Sequence, residues 1–533
     1  MASAYTVGYY TTNPLTVYNL NGSSFNTLAN SGLEDSYIIK YASSGAPQWT
    51  TRIGGTATDL TFNSVIDLSN NLCVTGTYDS NPVTFYNADT SVFTTRITSG
   101  INDGFVCKYD PTGNCLWAAR MSGIASEEGI GIVADNSNNV FVAGAFNSIP
   151  VTFYNSDDTP FANTLTPVGA FDGFLVKYNE SGFVQWVLRI GGIGTDVIKN
   201  IITDTGGNVY LIGQSDSTII TFFNSDYSSF LNLGRVGLNS VFVAKYDING
   251  FGVWASVFGG TGSDYATDIG VDSVGNIYAT GYYSSNPFEV YDSTGTLFGT
   301  TLANVGSNDI FLVKFNNSGI TQWVTRIAGT DDDKSTDIVI DSNDNILVAG
   351  NYNSSSLAIY DAPGTSSTIS LGKSGTTNRF AAKYNPTGVA QWSIFVDGNG
   401  VNTGSGLALD SADNIYFGGN FTSNPLYIFN SNNSLFGTTL PQTFGVTNGF
   451  IIKYSAAGFA QWANYIGDTA SVTNTAVAVS FAEPEPEPEP EPICIPFCPN
   501  FGKPSSLNNS GVIRQFSTNQ RNAMRLRTGL KLR

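Results

Sequence analysis

The seven tryptophans of this chain fall on one ruler: Trp49, Trp117, Trp186, Trp254, Trp323, Trp392 and Trp462 stand 68 to 70 residues apart. Nine residues before each is a lysine, Lys40, Lys108, Lys177, Lys245, Lys314, Lys383 and Lys453, and five residues after each lysine is a glycine, Gly45 through Gly458. The segment DGFVCKYDPTGNCLW shows the unit: an alternating apolar run, a Gly-containing turn and a second apolar run. That pattern predicts a β-hairpin. Eighteen residues after tryptophan comes an aspartate (Asp67, Asp135, Asp204, Asp272, Asp341, Asp410), then an asparagine four further on and a glycine five beyond that. Strand, Asp-to-Asn turn and strand again make four short strands per repeat, the content of one propeller blade. A repeat of this kind buries its apolar faces only against its neighbours.

The two ends complete one another. AYTVGYYTTNPLTVYN at 4–19 matches IYATGYYSSNPFEVYD at 277–292, so the chain begins partway through a unit. TAVAVSF at 475–481 falls where other copies hold their Asp-bearing strand. The expectation is an all-β fold, a seven-bladed β-propeller over residues 1–482, closed by N- and C-terminal strands. Closure removes the free sheet edges of an open array. Ten residues after each blade glycine stands an aromatic followed by Asn or Asp: Tyr86-Asn87, Tyr154-Asn155, Phe223-Asn224, Tyr291-Asp292, Tyr360-Asp361 and Phe429-Asn430. Length varies only beyond this point, which predicts one extra hairpin arm per blade, seven arms displayed on one face.

The D-x-F-x-x-K-Y stretch, the G-x-x-x-W step, the paired glycines Gly54-Gly55, Gly191-Gly192 and Gly259-Gly260, and the D-S-x-G-N-hydrophobic-G run resemble the SBBP (seven-bladed β-propeller) repeat family over about residues 1–482. The resemblance implies the fold and little about function, since that family is defined by its repeat. The long arm in each copy departs from the shorter family unit.

Composition narrows the chemistry. The chain has no histidine, which removes the commonest general base and zinc ligand. A net charge of −18 argues against nucleic-acid binding by the body of the protein. Residues 1–10 lack the basic start and apolar run of a signal peptide, and no stretch approaches the ~18 apolar residues of a membrane span. No membrane insertion is expected, and the setting is intracellular or a virion. Cys73, Cys107 and Cys115 fall on successive strands of one repeat and read as buried free thiols, while Cys494 and Cys498 could close a small disulfide or cross-link chains.

Ten residues after tryptophan comes an acid: Asp59, Glu127, Asp196, Asp264 and Asp333, with Asn402 in the sixth copy. In a propeller this loop lies near the mouth of the central channel, where a ring of carboxylates could hold a cation or a basic partner. The alternative is that each acid caps its own loop through backbone N–H groups. Asp331, Asp332 and Asp333 are the densest cluster and the one calcium candidate, without the spacing of a known calcium loop. No other cofactor is expected. The recurring lysines read as structural, each ammonium meeting a carboxylate or carbonyl of a neighbouring strand or blade. Asp35, Asp103, Asp172 and Asp309 share the lysine's strand but point to its other face.

Residues 483–492, EPEPEPEPEP, form an extended spacer of roughly 30 Å. Residues 493–533 hold no acid and seven bases, with apolar residues among them. Phe516, Arg521, Met524, Arg525, Leu526 and Arg527 are the candidate docking set for a protein partner. No carboxylate pair stands out for catalysis. The expected role is therefore non-enzymatic: a display scaffold anchored to a larger assembly, such as a virion, through its tail. The alternatives are a lectin-like module binding glycan through the Tyr-Asn and Tyr-Asp arms, or a glycoside hydrolase, which needs two carboxylates in a deep channel.

Overall fold

The lysine strand and the tryptophan strand pair in every repeat, with lysine directly opposite tryptophan each time: Lys40 with Trp49, Lys108 with Trp117, and so on to Lys453 with Trp462. In the computed structural model, described at residues 2–362, 365–404, 406–442, 446–467 and 471–481, every regular element is a strand, and among the described residues there is no helix. The expected spacer at 483–492 and basic tail at 493–533 lie outside the described residues.

Among the described residues the strands form seven hydrogen-bonded antiparallel sheets. One repeat shows the plan. Asp59–Ile66 is the inner strand, followed outward by Leu72–Tyr78, Asp103–Tyr109 and Cys115–Ser122. The two middle strands are buried at every residue because a neighbouring sheet covers each face. That is why small or apolar residues such as Cys73, Val74, Phe105 and Cys107 occupy both faces of these strands. Each inner strand packs beside the next: Asp59–Ile66, Glu127–Ala134, Asp196–Thr203, Asp264–Val271, Asp333–Ile340, Leu407–Leu409 and Val472–Val479, which returns to the first. The fold is an all-β propeller.

Two latches close the ring. Val472–Val479 pairs with Ala4–Tyr10, giving the first sheet three N-terminal strands and one C-terminal strand. The first arm, Leu15–Tyr18 with Ser24–Leu28, joins the sheet of residues 402–466, with Val17 opposite Ile466.

The arms differ from the expectation of a display on one face. Val83–Tyr86 and Val92–Arg96 leave their own repeat and add to the outer edge of the preceding sheet, where Phe85 and Thr84 pair with Ile53 and Gly54. The arms that pair with Cys115–Ser122, Val184–Gly191, Thr321–Ala328 and Ala390–Asp397 do the same. The tryptophan strand would otherwise present a row of unpaired backbone groups, and the arm satisfies part of that row. Each arm is a strap binding two sheets.

Tryptophan and turn glycine form the second inter-sheet contact. Gly45, with φ +85°, would place a Cβ 2.7 Å from the Trp462 ring, and Gly182, Gly250, Gly319 and Gly388 face Trp117, Trp186, Trp254 and Trp323 alike. Trp462 Nε1 donates to Ser43 O at 3.0 Å across the closure, and Trp49 Nε1 to Pro111 O at 3.0 Å.

Candidate functional site

The recurrent polar residues are engaged in the fold. Asp67 Oδ1 accepts from the N–H groups of Ser69 and Asn71 at 2.9 and 2.8 Å, fixing the turn, and its Oδ2 meets Lys108 Nζ at 3.0 Å. Lys383 meets Asp341 at 2.7 Å and Lys453 meets Asp410 at 3.2 Å in the same way. Lys40 donates to Pro111 O of the next repeat at 2.8 Å.

The acids expected at the channel mouth are all fully buried, at the first residue of each inner strand. Asp59, Asp196, Asp264 and Asp333 accept from Ser80, Ser217, Ser285 and Ser354 Oγ at 2.6 to 2.7 Å. Those serines accept in turn from loop N–H groups, such as Ala57 N to Ser80 Oγ at 2.9 Å. The ring is thus a set of loop ties, and none of the five acids lines the channel. Glu127, one methylene longer, lies against the equivalent Ser148 and the Gly123 N–H, which favour its charged form against the effect of burial. Burial pushes Asp59 and Asp333 up to about 6 and Glu127 up to about 7. The acids five residues before the lysines lie close by: Asp35 pairs with Arg52 at 2.7 Å, and Asp172 with Arg189 at 2.5 Å. In the sixth repeat both positions are amides, and Asn402 Nδ2 donates to Asn378 Oδ1 at 3.0 Å. The serine 21 residues after each acid was a sequence signal that the tryptophan ruler could have exposed.

The calcium candidate divides. Asp333 turns inward to Ser354, while Asp332 receives Asn308 Nδ2 at 2.6 Å and Lys334 Nζ at 2.7 Å. Asp331 is exposed. Among the described residues no group of three or more Cys, Asp or Glu could hold a metal ion. Cys73, Cys107 and Cys115 are free and buried, and burial pushes the Cys73 thiol up to about 12.

The arm residues are engaged too. Asn87 Oδ1 accepts from Cys115 N at 2.8 Å, and its Nδ2 donates to Ser91 Oγ at 2.9 Å. Asn155, Asn224, Asp361 and Asn430 accept from Val184, Gly252, Ala390 and Ala460 N at 2.8 to 2.9 Å. Arginines cover the aromatic rings: Arg52 lies over Tyr86 at 4.3 Å and Arg120 over Tyr154 at 3.7 Å. Such stacking fixes the strap.

What the repeat leaves over is the channel. The inner strands enclose a cavity of about 650 Å³ along the axis. The bulge in each strand falls at equivalent residues, between Thr61 and Asn63, Ile198 and Asn200, Ala266 and Asp268, and Ser335 and Asp337. The cavity lining there is irregular: Phe62, Ile130, Lys199, Thr267, Thr336 and Thr475 hold one tier. Beside them runs a polar chain. Asn63 Nδ2 donates to Asn200 Oδ1 at 3.3 Å, Asn200 Nδ2 to Asp268 Oδ1 at 2.5 Å, and Ile338 N to Asp268 Oδ2 at 2.7 Å. Gly406 N donates to Asp337 at 2.5 Å, and fully buried Arg379 lies 3.9 Å from the same carboxylate. Burial and the neighbouring Asp337 push Asp268 well up, while burial pushes Asp337 to about 6 and Arg379 down to about 10. The tier below is aliphatic, with Val65, Ile202, Val271, Val339, Leu409 and Val479. The channel thus brings Asp268 and Asp337 together, but the oxygens of Asp268 already take N–H donors. Asn63, Asn200, Asp268 and Asp337 all stand fourteen residues after a tryptophan, a polar recurrence present in the sequence, whereas Arg379 has no counterpart in the other repeats.

Residues 185–221, 253–289 and 322–357 match the SBBP β-propeller repeat. An uncharacterized WD repeat-containing protein of Acanthamoeba polyphaga mimivirus is 30% identical over 471 residues, which is 78% of this chain and 34% of that protein. The regulatory protein FlaEY of Caulobacter vibrioides is 23% identical over 322 residues, 58% of this chain and 32% of that protein. The chain spans about a third of the length of these curated relatives. Among solved structures, an ACO/RPE65 chimera covers 90% of this chain and 93% of its own at 8% identity, with a TM-score of 0.37. Likeness that distant says nothing of chemistry.

Proposed function

The chain carries repeats of the SBBP β-propeller family, and on that premise we propose a non-enzymatic interaction scaffold of seven blades, anchored to a larger assembly through its basic tail. The blade number follows if each of the seven sheets is one blade. One observation carries the scaffold reading. Leu33, Ile101, Val168 and Leu238 stand at the same loop of successive repeats and are 59 to 70% exposed, with Ile124 and Ile193 at 76 and 74% in the adjoining loops. The two loops are tied together, as by Ile101 N to Ala125 O at 2.9 Å. All of them precede strands that run in one direction, so these aliphatic side chains collect on one face of the ring. Apolar surface repeated on one face suits a protein partner. The last inner strand begins at that face, and Phe481 follows its far end.

Glycan binding by the arms is the weaker reading, because their amides and rings are engaged within the protein. A virion is one assembly that fits the scaffold reading. The test is capture with residues 483–533 as bait, followed by incorporation of a chain ending at 482. Loss of incorporation on truncation is expected; unchanged incorporation refutes the anchor.

A further inference from the structure

Lys199 is the exception in its tier. Equivalent positions carry Phe62, Ile130, Thr267, Thr336 and Thr475, so the fold does not call for an ammonium there. Among the described residues Lys199 makes no ion pair, and the acid that acts on it, Glu128, lies beyond ion-pair distance. Burial holds its pKa below that of a free lysine. With only the more distant Glu128 to balance it, a half-buried ammonium in a cavity of mixed polar and aliphatic lining gains from an anion bound beside it. Asp337 does not do so, since Arg379 and Gly406 N hold it. Asp268 is likewise enclosed by Asn200 and the Ile269 and Ile338 N–H groups. Below Lys199 the channel is walled by Ile202, Val271, Ile340, Leu409 and Val479 and opens beside the half-exposed Phe481.

We propose that the central channel binds a small amphipathic anion, an aliphatic carboxylate whose head pairs with Lys199 and whose chain lies along the aliphatic tier. A volume of about 650 Å³ accommodates one such molecule. Thr336, in the same tier, accepts from Arg379 Nη1 at 2.9 Å and so keeps its own hydroxyl proton to donate, while Thr267 is engaged with Thr280 O and Ser335 Oγ.

The test is calorimetric titration of the full chain with sodium decanoate below its micellar concentration. Decan-1-ol and decyltrimethylammonium serve as neutral and cationic probes. Saturable one-to-one binding of decanoate is expected, with the cationic probe excluded. Lys199→Gln should weaken decanoate about 10- to 100-fold while leaving decanol unchanged. Ala408→Phe, which fills the aliphatic tier from another strand, should abolish binding of both decanoate and decanol. Unchanged thermal unfolding of each variant shows that it has folded; where Lys199→Gln fails that check, Lys199→Met takes its place. No saturable decanoate binding by the parent chain, or binding equally tight in Lys199→Gln, overturns the proposal.

Discussion

Replacing Asp59 by asparagine should stabilise this protein at neutral pH and leave it unchanged in acid. Burial holds Asp59 at about 6 against 3.8 for a free aspartate. At about 1.4 kcal/mol per decade, that gap is worth roughly 3 kcal/mol. The sign follows from which state releases its proton first. Below pH 3.8 both folded and unfolded chains keep the proton, and the stabilisation is fully present. As pH rises toward 6 the unfolded carboxyl ionises while the folded one resists, so stability falls, and above 6 the whole amount is lost. An amide escapes this. Asn402 shows that an amide fits, accepting from Ser423 Oγ at 2.7 Å as Asp59 Oδ2 accepts from Ser80 Oγ, with the long 3.2 Å bond from Ser80 N to Asp59 Oδ1 given up. The neighbouring Asp35 carboxylate can accept the new amide N–H as Asn378 does in the sixth repeat. Urea unfolding followed by tryptophan fluorescence from pH 4 to 8 should show Asp59→Asn gaining up to about 3 kcal/mol over the parent above pH 6.5 and converging with it near pH 4. Parallel curves, or a variant less stable at pH 8, would refute the reasoning.

Gly45→Ala should lower the unfolding temperature, because the residue sits at φ +85° and its Cβ would lie 2.7 Å from Trp462; a loss of about 1–3 kcal/mol is expected. Arg379→Met leaves the half-buried Asp337 beside Asp268 without its cation, a destabilisation of about 1–3 kcal/mol that should shrink when Asp337→Asn is added, as a double-mutant cycle of urea midpoints will read. Asn87→Ala removes the acceptor of Cys115 N. It should cost about 1 kcal/mol or more and speed hydrogen exchange of that amide ahead of the rest of the sheet.

The propeller was legible because its inter-sheet contacts are periodic. Tryptophan, turn glycine and lysine recur at fixed spacing since each touches the same partner in the next repeat, as Trp49 and Lys40 both reach Pro111 O. Closure was legible because residues 4–19 complete the ends. Arm placement was not: Val83–Tyr86 has the alternation of any edge strand, and nothing in it says that the partner is Ile53 in the sheet before. The acids were visible but their state was not, because sequence cannot tell a buried carboxyl tied to a serine from one open to a channel. Lys199, Asp268, Asp337 and Arg379 were silent for the opposite reason. Lys199 and Arg379 stand alone at their positions, and Asp268 and Asp337 share one that holds Asn, Gly or Ala in other repeats, so none recurs throughout.

The two latches set a timetable for synthesis. The first arm, Leu15–Tyr18 and Ser24–Leu28, belongs against Ala460–Ile466, and Ala4–Tyr10 waits for Val472–Val479. At roughly 5–20 residues per second, a ribosome needs on the order of half a minute to a minute and a half to make the intervening chain. During that interval the nascent protein carries two strand edges with no partner in hand. A neighbouring nascent chain on the same message could supply the missing strands, so slowed translation or crowded polysomes should favour strand-exchanged oligomers over closed monomers.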